Sequence, residues 1–209
     1  MSDALLFFQV MSMLAVDRPK CRVSAVIFHG RSFNGDDDGL FDLASLLTST
    51  ISENLVIING GNGEGFVEGI RAWPGKKDYA KRLGAFGCNI VTSSSAPRTL
   101  EEGFAFSEIA EDMGVKRAIV IAQPFQLLRI MLTHLMVMKK RQYPMQIYAM
   151  APSVVDWNKV TNGNQGQAGR VRFDQIKAEF ERIAPYQAQG NLALIPELIE
   201  YLLKGRDAI

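Results

Sequence analysis

The run SSSAPRTLEEGFAFSEIAEDMG at 93–114, followed at 117–135 by RAIVIAQPFQLLRIMLTHL, holds two strand-to-helix junctions in succession. Each junction places polar side chains and free backbone N–H groups at the carboxyl edge of a parallel sheet, which is where open α/β folds bind ligands. The pattern points to a small-molecule site and names neither the molecule nor a reaction. Within it, RAIVIA at 117–122 reads as a strand, and Pro124 opens a long helix reaching Lys140. Proline is favourable at a first helical position because its missing N–H had no helical partner there. Helical spacing also covers about 99–113, and a short strand lies near Asn89, Ile90 and Val91.

Upstream, RVSAVIF at 22–28 and LVII at 55–58 are apolar runs without polar alternation, as strands covered on both faces read. The first ends in the polar turn His29-Gly30-Arg31-Ser32, and Asp36, Asp37 and Asp38 then cap a helix carrying Leu40, Phe41, Leu43, Ala44, Leu46 and Leu47. The second ends in Asn59-Gly60-Gly61-Asn62-Gly63, a backbone free to take positive φ. A further helix is expected over KKDYAKRLGAF at 76–86. Downstream, Met145 to Ala149 makes a last strand. Beyond Pro152 the pattern turns helical, with a polar loop TNGNQGQAGR at 161–170 and amphipathic helices near 172–184 and 191–204. Strands alternating with helices predict an α/β fold with a mostly parallel sheet of about five strands, helices on both faces and a helical C-terminal extension.

The 209 residues, 47% hydrophobic and 22% charged, suit a single domain spanning 1–209, with an N-terminal helix within 1–20 and the extension over 152–209. Lysines and arginines number 23 against 22 acids, so the formal charge of +1 offers no global attraction for nucleic acid or an anionic membrane surface. The apolar start ALLFFQVMSMLAV at 4–16 is too short to span a bilayer and follows Asp3 instead of a basic segment. It reads as a core-packing helix. Cys21 and Cys88 have neither metal-ligand spacing nor the density of a secreted scaffold, so a cytoplasmic location is expected. With only two histidines beside them, the composition argues against a metal site.

Candidate binding residues gather at the expected sheet edge. His29, Gly30, Arg31 and Ser32 offer a titratable ring, a cation and a hydroxyl in one turn. Gly60, Gly61 and Asn62 can expose backbone N–H groups to a ligand, although neither GxxxxGK[ST] nor a complete GxGxxG is present. Ser94, Ser95 and Thr99 would hydrogen-bond a polar ligand. Thr99 and Glu102 also read as a capping box, T-x-x-E, in which both side chains satisfy free N–H groups at the helix start. Gln123 precedes Pro124, and Arg129 lies about one and a half turns into the helix, close enough to return to the edge or to pair with a carboxylate on the surface. His134, inside IMLTHLMVM, reads as a hydrogen-bonded packing residue. Glu179, Arg182 and Tyr186 suit helix-surface pairs and a helix end before Pro185.

The order strand-HG, strand-NGG, SSSAPRTLEE, strand-AQPFQLLR and a closing AEFERIAPYQAQGNLALIPELIEYL resembles the YdcF/SanA/ElyC family of proteins of unknown function, over about Val23 to Leu203. The resemblance implies a Rossmann-like three-layer sandwich with a pocket at the carboxyl edge of the sheet. YdcF-like members are associated with S-adenosylmethionine binding, so a nucleotide-like ligand, with S-adenosylmethionine as the named candidate, is the expectation. SanA- and ElyC-like members are tied instead to bacterial envelope maintenance, usually with a membrane anchor, which makes an envelope factor the alternative. Members commonly carry a histidine where this chain has Gln126, and an arginine where Phe41-Asp42-Leu43 stands. Glutamine is neither acid nor base near neutral pH, which keeps open a noncatalytic sensor or interaction protein. In an enzymatic version, Glu102 or His29 would manage protons while Arg129 and loop N–H groups held a polar moiety.

Overall fold

The computed structural model describes residues 3–30, 38–59, 66–67, 70–71, 81–85, 87–93, 96, 98–161 and 170–205. In chain order these form α1 (Asp3–Ala15), β1 (Ala25–Phe28), α2 (Asp38–Thr50), β2 (Leu55–Asn59), the two-residue strands β3 (Phe66–Val67) and β4 (Ile70–Arg71), and helical residues 81–84, here α3. They continue through β5 (Asn89–Ser93), α4 (Thr99–Asp112), β6 (Arg117–Ile121), α5 (Pro124–Arg141), β7 (Gln146–Met150), the short pair β8 (Val160–Thr161) and β9 (Arg170–Val171), α6 (Asp174–Ala188) and α7 (Ile195–Glu200).

Five strands form one parallel sheet in the order β5-β2-β1-β6-β7. The chain builds outward from β1 in one direction through β2 and β5, then returns to the other side of β1 for β6 and β7. The expected α/β class is therefore present, with the strand arrangement of a Rossmann-like three-layer fold. The reversal falls between β1 and β6, which pair in register from Ala25 with Ala118 to Phe28 with Ile121.

Alternation along the buried strands feeds two cores. Ala25, Ile27, Leu55, Ile57, Ala118 and Val120 face a large cluster with α1, α4, α5, α6 and α7, while Val26, Phe28, Val56, Ile58, Ile119 and Ile121 face α2 and Leu83 of α3. That two-sided burial is why these strands read as continuous apolar runs. Helix α5 is the least exposed helix: every residue from Phe125 to Met138 is buried. A helix apolar around most of its circumference can only be accommodated inside, and here the sheet, α4, α6 and α7 surround it.

Two expectations need correction. Strand β1 is shorter than the apolar run, because Val23 joins the sheet only through an isolated bridge to Ser52. Helix α6 does not end before Pro185 but carries it inside and continues to Ala188. Its last turns are held by Gln189 and Gly190 N–H groups donating to Pro185 and Gln187 carbonyls, and proline lacks a donor without lacking an acceptor.

Candidate functional site

Three strands deliver polar groups where the sheet order reverses. His29 follows β1 directly and its backbone N–H donates to the Ile121 carbonyl at 3.0 Å, so the end of β1 is locked to the end of β6. Asn59 is the last residue of β2, and Gln123 stands between β6 and Pro124. All three are buried, at 2%, 6% and 2% exposure. A buried polar side chain requires partners, since an unpaired one costs about 1–3 kcal/mol.

The partners form a chain across the elements. Asn59 donates through Nδ2 to Glu102 Oε1 at 2.9 Å and to the Ala96 carbonyl at 2.8 Å, while Ala96 N–H donates back to Asn59 Oδ1 at 3.3 Å. Glu102 turns its other oxygen, Oε2, toward His29 Nδ1 at 3.5 Å. The opposite ring nitrogen of His29, Nε2, is 2.8 Å from Nε2 of His134 on α5. Phe106, one turn beyond Glu102, closes the His29 ring edge-on at 5.0 Å between centroids. Glu102 and His134 are buried at 3% and 1% exposure.

This arrangement corrects the capping-box expectation. The N-cap of α4 is Arg98, with no side-chain cap, which makes Thr99 the first helical residue. The box is therefore out of register by one position. Glu102 faces inward to Asn59 and His29 instead of back to the helix start, and Thr99 Oγ1 accepts from Arg129 NH1 at 2.9 Å.

Arg129 does pair with a carboxylate, but a buried one. Its Nε donates to Glu179 Oε2, and Glu179 Oε1 also accepts from Arg182 at 2.9 Å. Arg129 and Glu179 are 5% and 4% exposed, so the surface alternative for Arg129 does not form, and the Glu179–Arg182 helix pair forms with its carboxylate buried instead of on the surface. The cause is α5 itself: it is buried at every residue from Phe125 to Met138, and a guanidinium there requires an internal counter-charge. The effect is to fasten α6 to α5 and to the first turn of α4.

Two nitrogens facing each other constrain the protons. An Nε2–Nε2 contact of 2.8 Å is a hydrogen bond only if one ring donates and the other accepts. Burial, and secondarily the charge of His29, holds His134 well below the ordinary histidine value, so His134 is the ring that resists carrying a full charge. Its Nδ1 makes no hydrogen bond.

Of the residues singled out in the sequence, the structure brings together His29, Glu102 and Gln123 at the strand ends, with Thr99 and Arg129 tied to each other beside them. Gly30 follows His29 with its backbone partly exposed. Arg31, Ser32, Gly60, Gly61, Asn62, Ser94 and Ser95 lie outside the described residues, as do Asp36 and Asp37 and the loop at 162–169. Gln126 is buried and its backbone N–H donates to the Gln123 carbonyl at 2.9 Å. Asn59 and His134 are the site members that the sequence reading did not place there. The signal for Asn59 was available, as a polar residue closing an otherwise apolar strand. His134 gave none, because it sits in a mostly apolar helical run and only the tertiary approach of β1 identifies its partner.

Among the described residues no group of three or more His, Cys, Asp or Glu side chains is placed to hold a metal ion, and no helix is long and apolar enough to cross a membrane. Comparison with protein-family models, curated proteins and solved structures finds no match to this chain.

Proposed function

We propose that this chain is a YdcF-like cytoplasmic protein that binds a nucleotide-like small molecule, with S-adenosylmethionine as the first candidate, over the strand ends where the sheet order reverses. One observation carries the reading: buried polar side chains from separate elements, His29, Asn59, Glu102 and Gln123, converge where β1 and β6 part. A fold has no need of so many buried polar groups at one edge, and open α/β sheets bind ligands at this point. The mutual commitment of Arg129, Glu179 and Thr99 favours a ligand recognised by hydrogen bonds over one anchored by a free cation. Gln126 favours binding over any reaction that needs an acid or base at that position.

A thermal-shift panel of S-adenosylmethionine, S-adenosylhomocysteine, adenine nucleotides, nicotinamide dinucleotides and sugar phosphates tests it. A ligand at ~100 times its dissociation constant adds about 2.7 kcal/mol of stability. The expected result is a shift with an adenosyl compound that disappears in Gln123→Leu, each shift being read against that protein's own unliganded midpoint. A shift confined to sugar phosphates would overturn the adenosyl assignment, and no shift with any compound would overturn the nucleotide-like reading.

A further inference from the structure

Gln126, in the first turn of α5, is 4% exposed, and among the described residues its carboxamide makes no hydrogen bond. Buried amides are almost always paired, because an unpaired one gives up its water without compensation. Nor is this amide sealed off. Buried atoms closed to solvent and lacking a partner include Ser107 Oγ and His134 Nδ1, and neither amide atom of Gln126 is among them. A side chain enclosed along its stem and open at its polar tip faces a small accessible recess.

The surroundings define that recess. Gln126 lies one turn before Arg129 on the same face of α5. Helical side chains lean toward the N-terminus, so the Arg129 guanidinium reaches back toward the turn that carries Gln126. That guanidinium is held by Thr99, the first residue of α4, and by Glu179 of α6. Gln175, one turn before Glu179, is buried as well. The starts of α4 and α5 and the inner face of α6 therefore meet around the recess. Neither α4 nor α5 has a side-chain cap, so their leading N–H groups and positive dipole ends stand beside the Gln126 amide. Glu179 accepts from both Arg129 and Arg182, two cations against one carboxylate, which leaves that cluster one positive charge. Glu102 is turned to Asn59 and His29 instead, and Glu101 and Asp174, the other acids of these first turns, are exposed.

We infer that the first turns of α4 and α5, with Gln126 at the opening and Arg129 beside it, form a subsite for a carboxylate of the ligand. Its oxygens accept from Gln126 Nε2 and from helix N–H groups. The subsite rests on the binding reading above and adds the chemical class of one end of the molecule. With no bond inside the chain to fix it, the carboxamide is free to turn Nε2 toward that end. The lining is rich in donors, and a group that only accepts is its complement. A single net positive charge matches a carboxylate and falls short of a phosphate dianion.

The test follows the Gln126 side-chain amide in the intact chain labelled with ¹⁵N at its glutamine side chains, the signal being assigned by its absence in Gln126→Met. Sodium acetate is titrated in at constant pH and ionic strength, against sodium chloride and inorganic phosphate. The expected result is a saturable shift with acetate, a weaker one with phosphate and none with chloride. Gln126→Met replaces an amide that bonds nothing in the fold, so its unliganded thermal midpoint should equal or exceed wild type while backbone amides in the first turns of α4 and α5 cease to respond to acetate. A midpoint well below wild type would show that the amide is bonded within the fold and would overturn the recess. An acetate response no larger than that of chloride, or one that survives in Gln126→Met, would overturn the subsite, and a stronger response to phosphate would overturn the carboxylate assignment. The adenosyl reading is scored separately. S-adenosylmethionine should bind Gln126→Met about tenfold more weakly than wild type, the loss of one hydrogen bond to a charged group, whereas 5′-methylthioadenosine, which lacks the carboxylate, should bind both alike. An intact acetate response with no binding of either adenosyl compound would uphold the subsite and remove the adenosyl reading alone.

Discussion

His134 sets the acid behaviour of the molecule. Its folded-state affinity for protons lies well below the ordinary value of 6.5, because burial penalises the charged ring and His29 stands beside it. The unfolded chain therefore binds more protons than the native one once the pH falls below about 6.5, and stability is lost in that direction. Above that pH the ring is neutral in both states and contributes no slope. The slope approaches about 1.4 kcal/mol per pH unit for one missing proton. Because the chain has only two histidines, urea midpoints between pH 5 and 6.5 isolate them from the carboxylates. A flat midpoint across that window, or the same slope in His134→Gln, would refute this assignment. Glu179 gives a second residue-scale prediction. It is buried between Arg129 and Arg182, and removing one partner of a buried ion pair costs about 3–5 kcal/mol. Glu179→Gln should lower the urea midpoint by that order, well beyond the loss from replacing Glu181, whose partner Lys177 is exposed.

At the scale of elements, the seam between α4 and α5 positions the site, and Gly103 is a point of close approach within it. A Cβ added there would lie 3.1 Å from Thr133 Cγ2 and 3.3 Å from Val137 Cγ2. A single methyl forces a small retreat, whereas a branched side chain has nowhere to go. Gly103→Val should therefore destabilise by roughly 1–3 kcal/mol, the usual range for overpacking. It should also disturb the His29–His134 bond, because Glu102 and Phe106 flank the same helix face; ¹⁵N-histidine spectra would show this. Unchanged ring signals would separate the seam from the site. The elements themselves were legible in the sequence wherever burial was one-sided or complete: RAIVIA, LVII and the run after Pro124 each became the element that its spacing implied. T-x-x-E at 99–102 signals a helix start without fixing its first residue, and Arg98 in extended conformation, φ −125° and ψ 147°, sets the cap one position earlier. Pro185 misled for a related reason, since a breaker signal weighs backbone donors and cannot register the packing of α6 against α5.

For the whole molecule, what the sequence could not supply was long-range order. Which strands are neighbours depends on helices crossing over the sheet, and no local pattern near Ile27 names Val120 as its partner. The His29–His134 pairing, 105 residues apart, was hidden for the same reason. Sheet order also creates edges, and an exposed edge strand invites pairing with another chain. On the β7 side the fold closes that edge with side chains drawn from both ends of the sequence. Asp17, just after α1, accepts from Ala149 N–H at 2.7 Å. The Tyr201 hydroxyl, just after α7, accepts from Ile147 N–H and donates to the Met145 carbonyl, each at 2.7 Å. One phenol thus satisfies two buried backbone groups, and Tyr201→Phe preserves the ring while leaving both without that partner. Each stranded group costs about 1–3 kcal/mol, so the substitution should lower the urea midpoint with an unchanged denaturant slope, because the surface exposed on unfolding stays the same. It should also raise the tendency to associate through β7, which light scattering at rising concentration would read. The site at the strand ends should keep its ¹⁵N-histidine pattern, since no hydrogen bond links Tyr201 to His29 or Glu102. A midpoint equal to wild type would mean that α7 and the turn after it cover the edge by packing alone. Loss of the histidine pattern would instead mean that the edge and the site unfold as one unit.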